Sequence, residues 1–228
     1  MKNAAVLVVM AKQPRAGSAK TRLCPPFSPE QAAAFSEALL LDTFDLAGSL
    51  AGLQLAAAIT PASARAYFEH ITPPGTILLP VDGADIGQCL SRSFEAFFQA
   101  GFTRVLALNA DGPSLPPAYL LQALDLLEDH DALIGPGEDG GYYLVGLKSP
   151  CPQLFRDIEW STPRVLEQTL ARLDTLGLRT ALTPPWYDVD TVREAARIYA
   201  ELQNLPLERL IHTRRFFENL QPGEWPVQ

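Results

Sequence analysis

Cysteine is scarce in this 228-residue sequence, with three copies at Cys24, Cys89 and Cys151. The number is odd, the spacing is wide and no C-x-x-C occurs, so neither a disulfide framework nor a zinc knuckle is expected. A reducing, cytoplasmic compartment is the simple expectation. Positive charge is also in deficit: the net charge is −8, which argues against a nucleic-acid groove or an anionic membrane surface as the main partner. No apolar run reaches the roughly 18–20 residues of a membrane span. The apolar run Ala4 to Ala11 stops at Lys12 without a small-residue cleavage site, so it reads as a buried strand and not as a secretion signal. A Gly-x-Ser-x-Gly elbow is missing, which leaves a serine hydrolase unsupported. His70, His130 and His212 show no metal-ligand spacing.

What remains is the composition of an ordinary globular chain, 47% apolar and 19% charged. Short apolar runs alternate with longer amphipathic segments, which predicts an α/β fold with a mostly parallel sheet covered on both faces. The expected strands are Ala4–Met10, Leu53–Thr60, Thr76–Val81, Arg104–Leu108, Ala132–Gly135, Tyr142–Leu147 and Leu178–Thr183. A first helix is signalled by Ser28 as N-cap, Pro29 at the first position and Gln31 completing a capping box. Further helices are expected over Ile86–Ala100, Pro117–Glu128, Pro163–Leu176 and Val192–Leu202, then a C-terminal helix and a Pro/Gly tail. No linker or repeat divides the chain, so one domain spanning 1–228 is expected, with a C-terminal extension from about 204.

In open α/β sheets, ligands bind beyond the carboxyl ends of the strands. The unusual residues lie there. The loop Lys12 to Arg22 carries Lys12, Arg15, Lys20 and Arg22 around Pro14 and the single Gly17. It suits a di- or triphosphate: glycine frees backbone N–H groups to turn toward an anion, and Lys and Arg supply charge. It is neither a Walker A loop, since Pro14 and Ala19 hold the glycine places, nor a G-x-G-x-x-G fingerprint. A solvated basic loop is the plain alternative.

Asp111, displayed after the Arg104–Leu108 strand, is either a turn residue or a Mg²⁺ ligand. Asp190, in Asp188-Val-Asp-Thr191, is either a helix cap or the second ligand. The turn Glu138-Asp139-Gly140-Gly141 is either an ordinary hairpin or a close-approach site for a sugar or acceptor. Trp160 of Trp160-Ser161-Thr162 is core or a platform for a ring, and Ser161 or Thr162 can cap the helix that follows.

Met10-Ala-Lys-x-Pro-x-x-Gly-x-x-Lys-Thr-Arg-Leu23, Asp42-Thr43, Asp111-x-Pro113, Gly135-Pro136, Asp139-Gly-Gly-Tyr-Tyr-Leu-Val-Gly146 and Asp188-Val-Asp-Thr191 together resemble a bacterial family, DUF2064. That glycosyltransferase-like family is related to the nucleotide-diphospho-sugar transferases. The resemblance spans about residues 4 to 200. It implies a GT-A type, Rossmann-like α/β/α sandwich whose mostly parallel sheet has an antiparallel edge strand.

It further implies a Mg²⁺- or Mn²⁺-dependent transferase acting on a nucleotide or nucleotide-sugar donor and a small-molecule acceptor. Lys20 and Arg22 would hold phosphates, and Asp111 and Asp190 would bind the metal. Lys20, Arg22 and Asp111 form the expected catalytic set. Ala11 and Lys12 are expected near the base, with Pro14 and Gly17 shaping the nucleotide loop. Asp139, Gly140, Gly141, Trp160, Ser161 and Thr162 are expected around the sugar or acceptor. Glycosyl transfer is the first expectation; nucleotidyl transfer with release of pyrophosphate and non-catalytic nucleotide binding are the alternatives. The chain departs from the family pattern in places: Asn109-Ala110 stands before Asp111 where relatives show a Gly-Ser-like pair, Asp82 stands for a glutamine and Cys89 for an arginine. Oligomeric state is left open.

Overall fold

The computed structural model describes residues 5–221. Ala4 and the Pro/Gly tail after Gln221 lie outside the described residues. In chain order the main elements are β1 (Ala5–Lys12), α1 (Pro29–Gly48), β2 (Gln54–Thr60), α2 (Arg65–Ile71), β3 (Ile77–Pro80), α3 (Ile86–Gln99) and β4 (Arg104–Asn109). They continue with α4 (Pro117–Asp129), β5 (Ala132–Pro136), β6 (Tyr142–Leu147), α5 (Val165–Thr175), β7 (Thr180–Leu182), α6 (Val192–Glu201) and α7 (Ile211–Glu218).

The strands form one seven-stranded sheet in the order β3-β2-β1-β4-β6-β5-β7. Its pairs are parallel except those of β6, which runs antiparallel to both β4 and β5. The antiparallel strand therefore lies inside the sheet and not at its edge. The cause is local: β5 and β6 are joined by the short Gly137–Gly141 turn, which makes them a hairpin, and β6 then slots beside β4.

The alternation of β1 sorts the core into two layers. Leu7 and Val9 face Leu40 and Phe44 of α1 and Leu120 and Leu127 of α4. Val6 and Val8 face Leu90 and Phe94 of α3 and Leu173 of α5. Both faces of β1 are thus buried, which accounts for its unbroken apolar run. A third cluster joins Phe35 and Leu39 of α1 to Ile198 of α6 and Phe217 of α7.

The Ser28 capping box forms as expected: the Ser28 hydroxyl accepts from Gln31 N, and the Gln31 side chain accepts from Ser28 N. Two local expectations are corrected, and one element was not expected. β1 runs on to Lys12, because Ala11 and Lys12 pair with Ile59 and Thr60 of β2. The helix expected from Pro163 starts at Val165, since the preceding Ser161 takes a left-handed backbone (φ 63°). The short α2 was not anticipated, and it has no side-chain cap to announce it.

Candidate functional site

β1 and β4 end side by side, and the antiparallel β6 begins at the same end of the sheet. The segment Asp188–Asp190 is drawn to that end by one backbone bond, Val189 N donating to Asp111 O (2.8 Å). Gly112 makes this approach feasible: a Cβ there would lie 2.7 Å from the Tyr187 carbonyl.

Lys20 sits at the meeting point. Its ammonium lies 2.6 Å from Asp111 Oδ1 and 2.7 Å from Asp190 Oδ1. The Lys20 side chain is only 7% exposed, against 41% and 43% for the two carboxylates. Burial alone would lower the lysine pKa, but the charges and hydrogen bonds of Asp111 and Asp190 outweigh it and hold the pKa above its ordinary value. Lys20 adopts a left-handed backbone (φ 47°) ahead of a single turn over Thr21–Leu23, and the buried Leu23 anchors that turn in the third cluster. A non-glycine residue held there is a strained feature of the kind found at functional sites.

A third carboxylate stands beside this pair. Asn109 Nδ2 donates to Asp188 Oδ2 at 2.6 Å, while Asp188 Oδ1 is buried with no partner among the described residues. Burial, then the nearby Asp111 charge, pushes the Asp188 pKa up to about 7, against the opposing Asn109 hydrogen bond and Lys20 charge. One alternative left open by the sequence is now narrowed. Helix α6 is capped by Thr191, whose side chain and backbone form a capping box with Glu194, so capping does not occupy Asp190. Asp111 directs its carboxylate at Lys20. Asp111 and Asp190, whose oxygens already converge on one cation in Lys20, are ligands of the kind a hard divalent ion such as Mg²⁺ takes.

These groups open into a cleft of about 600 Å³. Lys12, Lys20, Arg22, Asp111 and Asp190 line it, as do Asp139, Gly141, Trp160, Ser161 and Thr162 from the facing wall. The structure thus brings together most of the residues singled out in the sequence, and four others have different surroundings. Ala11 is buried in the core layer with Leu7 and Val9 and is not on the cleft wall. Gly17 turns the exposed end of the loop with φ 77°, and Ser18 N and Ala19 N are both tied to Arg15 O. Pro14, half-buried, precedes that turn. Gly140 (φ 89°) packs directly against Pro163, leaving no space for a Cβ, and its carbonyl accepts from Leu166 N at 2.8 Å. Its role is to dock the hairpin on the tryptophan loop.

Trp160 lies across Gly87 at the start of α3 and meets Tyr142 edge-on at 6.3 Å. Cys89 points into the core, whereas Ile86 and Leu90 of the same helix reach the cleft. Asn109 and Asp188 were not among the expected site residues. The signal for Asp188 was its spacing from Asp190, but nothing in the sequence tied Asn109 to it.

His212 does approach carboxylates in space. Asp42, Asp45 and His212 each place one ligand-type atom within 4.8 Å of the others. Both Asp42 oxygens are engaged by α7, however: Oδ1 accepts from His212 N (3.0 Å), and Oδ2 from Thr213 N (2.8 Å) and Thr213 Oγ1 (2.6 Å). The contacts are those of a carboxylate docking a helix N-terminus.

Residues 43–162, more than half of the chain, match the model of a family described as an uncharacterized protein conserved in bacteria, DUF2064. The chain belongs to this family. Its fold also matches a solved structure from Desulfovibrio desulfuricans G20, provisionally named a nucleotide-diphospho-sugar transferase, with 29% identity, 96% of each chain covered and a TM-score of 0.87. More distant matches show the fold alone. One is CMP:2-keto-3-deoxy-manno-octonic acid synthetase complexed with CTP, at 15% identity, covering 89% of this chain and 100% of that chain, TM-score 0.57. Another is 4-diphosphocytidyl-2C-methyl-D-erythritol synthase, at 12% identity, covering 89% and 99%, TM-score 0.61. No curated protein matches the chain. No helix among the described residues is long and apolar enough to cross a membrane.

Proposed function

We propose that this DUF2064 protein is a transferase acting on a nucleotide-activated donor bound in the cleft at the strand ends. The observation that carries the reading is Lys20, held between Asp111 and Asp190 where that cleft meets the strand ends. Asp111 and Asp190 would hold a divalent cation, with Asp188 beside them. When bound, such an ion neutralises charge on a diphosphate. Lys20 stabilises charge on the departing phosphate group, a contribution that grows in a cleft where water is excluded. Lys12 contacts the nucleoside side of the donor, and Asp139, Gly141 and the Trp160–Thr162 loop orient the transferred group.

Two transfers suit such a site. Glycosyl transfer is supported by the provisional name of the Desulfovibrio structure. Nucleotidyl transfer is supported by the fold shared with the two synthases. Both depend chiefly on positioning and charge stabilisation.

The test is a thermal-shift panel of nucleoside triphosphates and sugar nucleotides, each with and without Mg²⁺. A ligand at a hundred times its Kd adds about 2.7 kcal/mol to apparent stability. A Mg²⁺-dependent shift with one nucleotide is expected. No shift with any nucleotide would overturn the transferase reading.

A further inference from the structure

A second cleft, of about 370 Å³, shares Arg22, Asp139, Asp188 and Asp190 with the first. The two clefts therefore have the carboxylate wall in common. The remaining walls of the second come from the hairpin turn and α6, including Glu138, Tyr187, Arg193 and Arg197.

Most acids on its walls are already engaged. Arg197 Nη1 donates to Glu138 Oε2 at 2.7 Å, and its guanidinium stacks 3.7 Å from the Tyr187 ring. Glu194 accepts from Thr191 N and Thr191 Oγ1. Asp190 holds Lys20, and Asp139 Oδ1 accepts from Gly141 N. Two cations are left over. The guanidinium groups of Arg22 and Arg193 make no ion pair and no hydrogen bond with any described residue. Guanidinium is a planar fork of donors that matches the oxygens of a phosphate and is weakly hydrated, so two unmatched copies on one cleft favour such an anion.

Building on the transferase reading, we propose that the second cleft seats the acceptor, and that the acceptor carries a phosphate monoester bound by Arg22 and Arg193. The bound phosphate is itself the nucleophile, and the reaction is nucleotidyl transfer. An oxygen of the acceptor phosphate forms a bond to the α-phosphorus of a nucleoside triphosphate. The bond from that phosphorus to the bridging oxygen breaks, and pyrophosphate leaves with the electron pair. The attacking oxygen is already ionised, so no general base is needed, and nothing is oxidised or reduced. A glycosyl acceptor would instead attack through a neutral hydroxyl, which needs a base to take its proton, and neither guanidinium can serve as one.

The probe is inorganic phosphate, titrated calorimetrically into the full chain saturated with Mg²⁺ and the nucleoside triphosphate that gives the largest thermal shift. Phosphate is expected to bind alongside the nucleotide. Arg193→Ala should weaken that binding about tenfold, the loss of one charged hydrogen-bonding group, with nucleotide affinity unchanged. Arg193→Lys should recover part of it. The proposal is overturned if phosphate fails to bind saturably, if nucleotide displaces it competitively, or if Arg193→Ala binds it as well as the wild type. Acetate binding in place of phosphate also overturns it, by assigning the cleft to a carboxylate. If no triphosphate binds at all, it is the transferase reading that fails.

Discussion

Lys20 and Asp190, 170 residues apart in the sequence, meet at 2.7 Å. The contact closes a ring of chain from β1 to the start of α6, and it sets a lysine ammonium between two carboxylates that suit a divalent ion. An ammonium and Mg²⁺ repel each other, so the two cannot share that position. Lys20→Met should therefore raise the affinity for Mn²⁺ in the absence of nucleotide, by about tenfold or more for the removal of one competing charge. Paramagnetic resonance of free Mn²⁺ reads this directly. Equal Mn²⁺ binding by the variant and the wild type would show that the ion sits elsewhere.

The carboxylates themselves lead to the opposite expectation. Asp111→Asn and Asp190→Asn each remove one charge from the cation seat while keeping its shape. Each should abolish the Mg²⁺-dependent part of a nucleotide's thermal shift. The fold should survive, because both side chains are more than 40% exposed. A Mg²⁺-dependent shift that persists in both variants would remove them from the metal site.

Asp188 makes the metal-free protein sensitive to pH. Its folded pKa stands at about 7, above the ordinary 3.8, so the protonated carboxyl is the form the fold prefers. A raised pKa means the folded state binds more protons than the unfolded chain between those two values. The contribution to stability is then complete below the lower value and is lost as pH rises through the higher one. Denaturant midpoints measured in chelator at about pH 5 and about pH 8 should show wild type losing stability relative to Asp188→Asn as pH rises. A wild-type curve parallel to that of the variant would mean that Asp188 is ionised throughout.

Much of this arrangement was legible in the residues. Five of the seven strands follow from runs such as Ala5–Val9 and Leu144–Leu147, since burial on both faces leaves little room for polar side chains; β3 and β7, at the sheet's edges, are more exposed. Lys20, Asp111 and Asp190 were marked by their positions after strands, a consequence of where open sheets bind ligands. Long-range pairing was less legible. That Asn109 pins Asp188 depends on a side-chain hydrogen bond across 79 positions. The inward place of β6 depends on which neighbour the hairpin joins, and its own periodicity cannot state that. Arg22 and Arg193 gain significance only when folding puts them on one cleft with their neighbouring acids engaged.

Asp42 separates packing from metal binding in the remaining cluster. It is 3% exposed, and burial raises its pKa even though three groups of α7 donate to it. If it docks the helix, Asp42→Ala strands the His212 and Thr213 N–H groups and the Thr213 hydroxyl, which has no exposure of its own. The expected cost is about 3 kcal/mol, from unmade buried hydrogen bonds at a helix start. Asp42→Asn keeps one acceptor oxygen and should cost less. If the group instead holds an ion, added Zn²⁺ should raise the melting temperature of the wild type and lose that effect with His212→Ala. Docking predicts no Zn²⁺-dependent gain and a large loss with Asp42→Ala alone. Both readouts come from one melting experiment, and His212→Ala leaves the His212 backbone N–H and its bond to Asp42 in place.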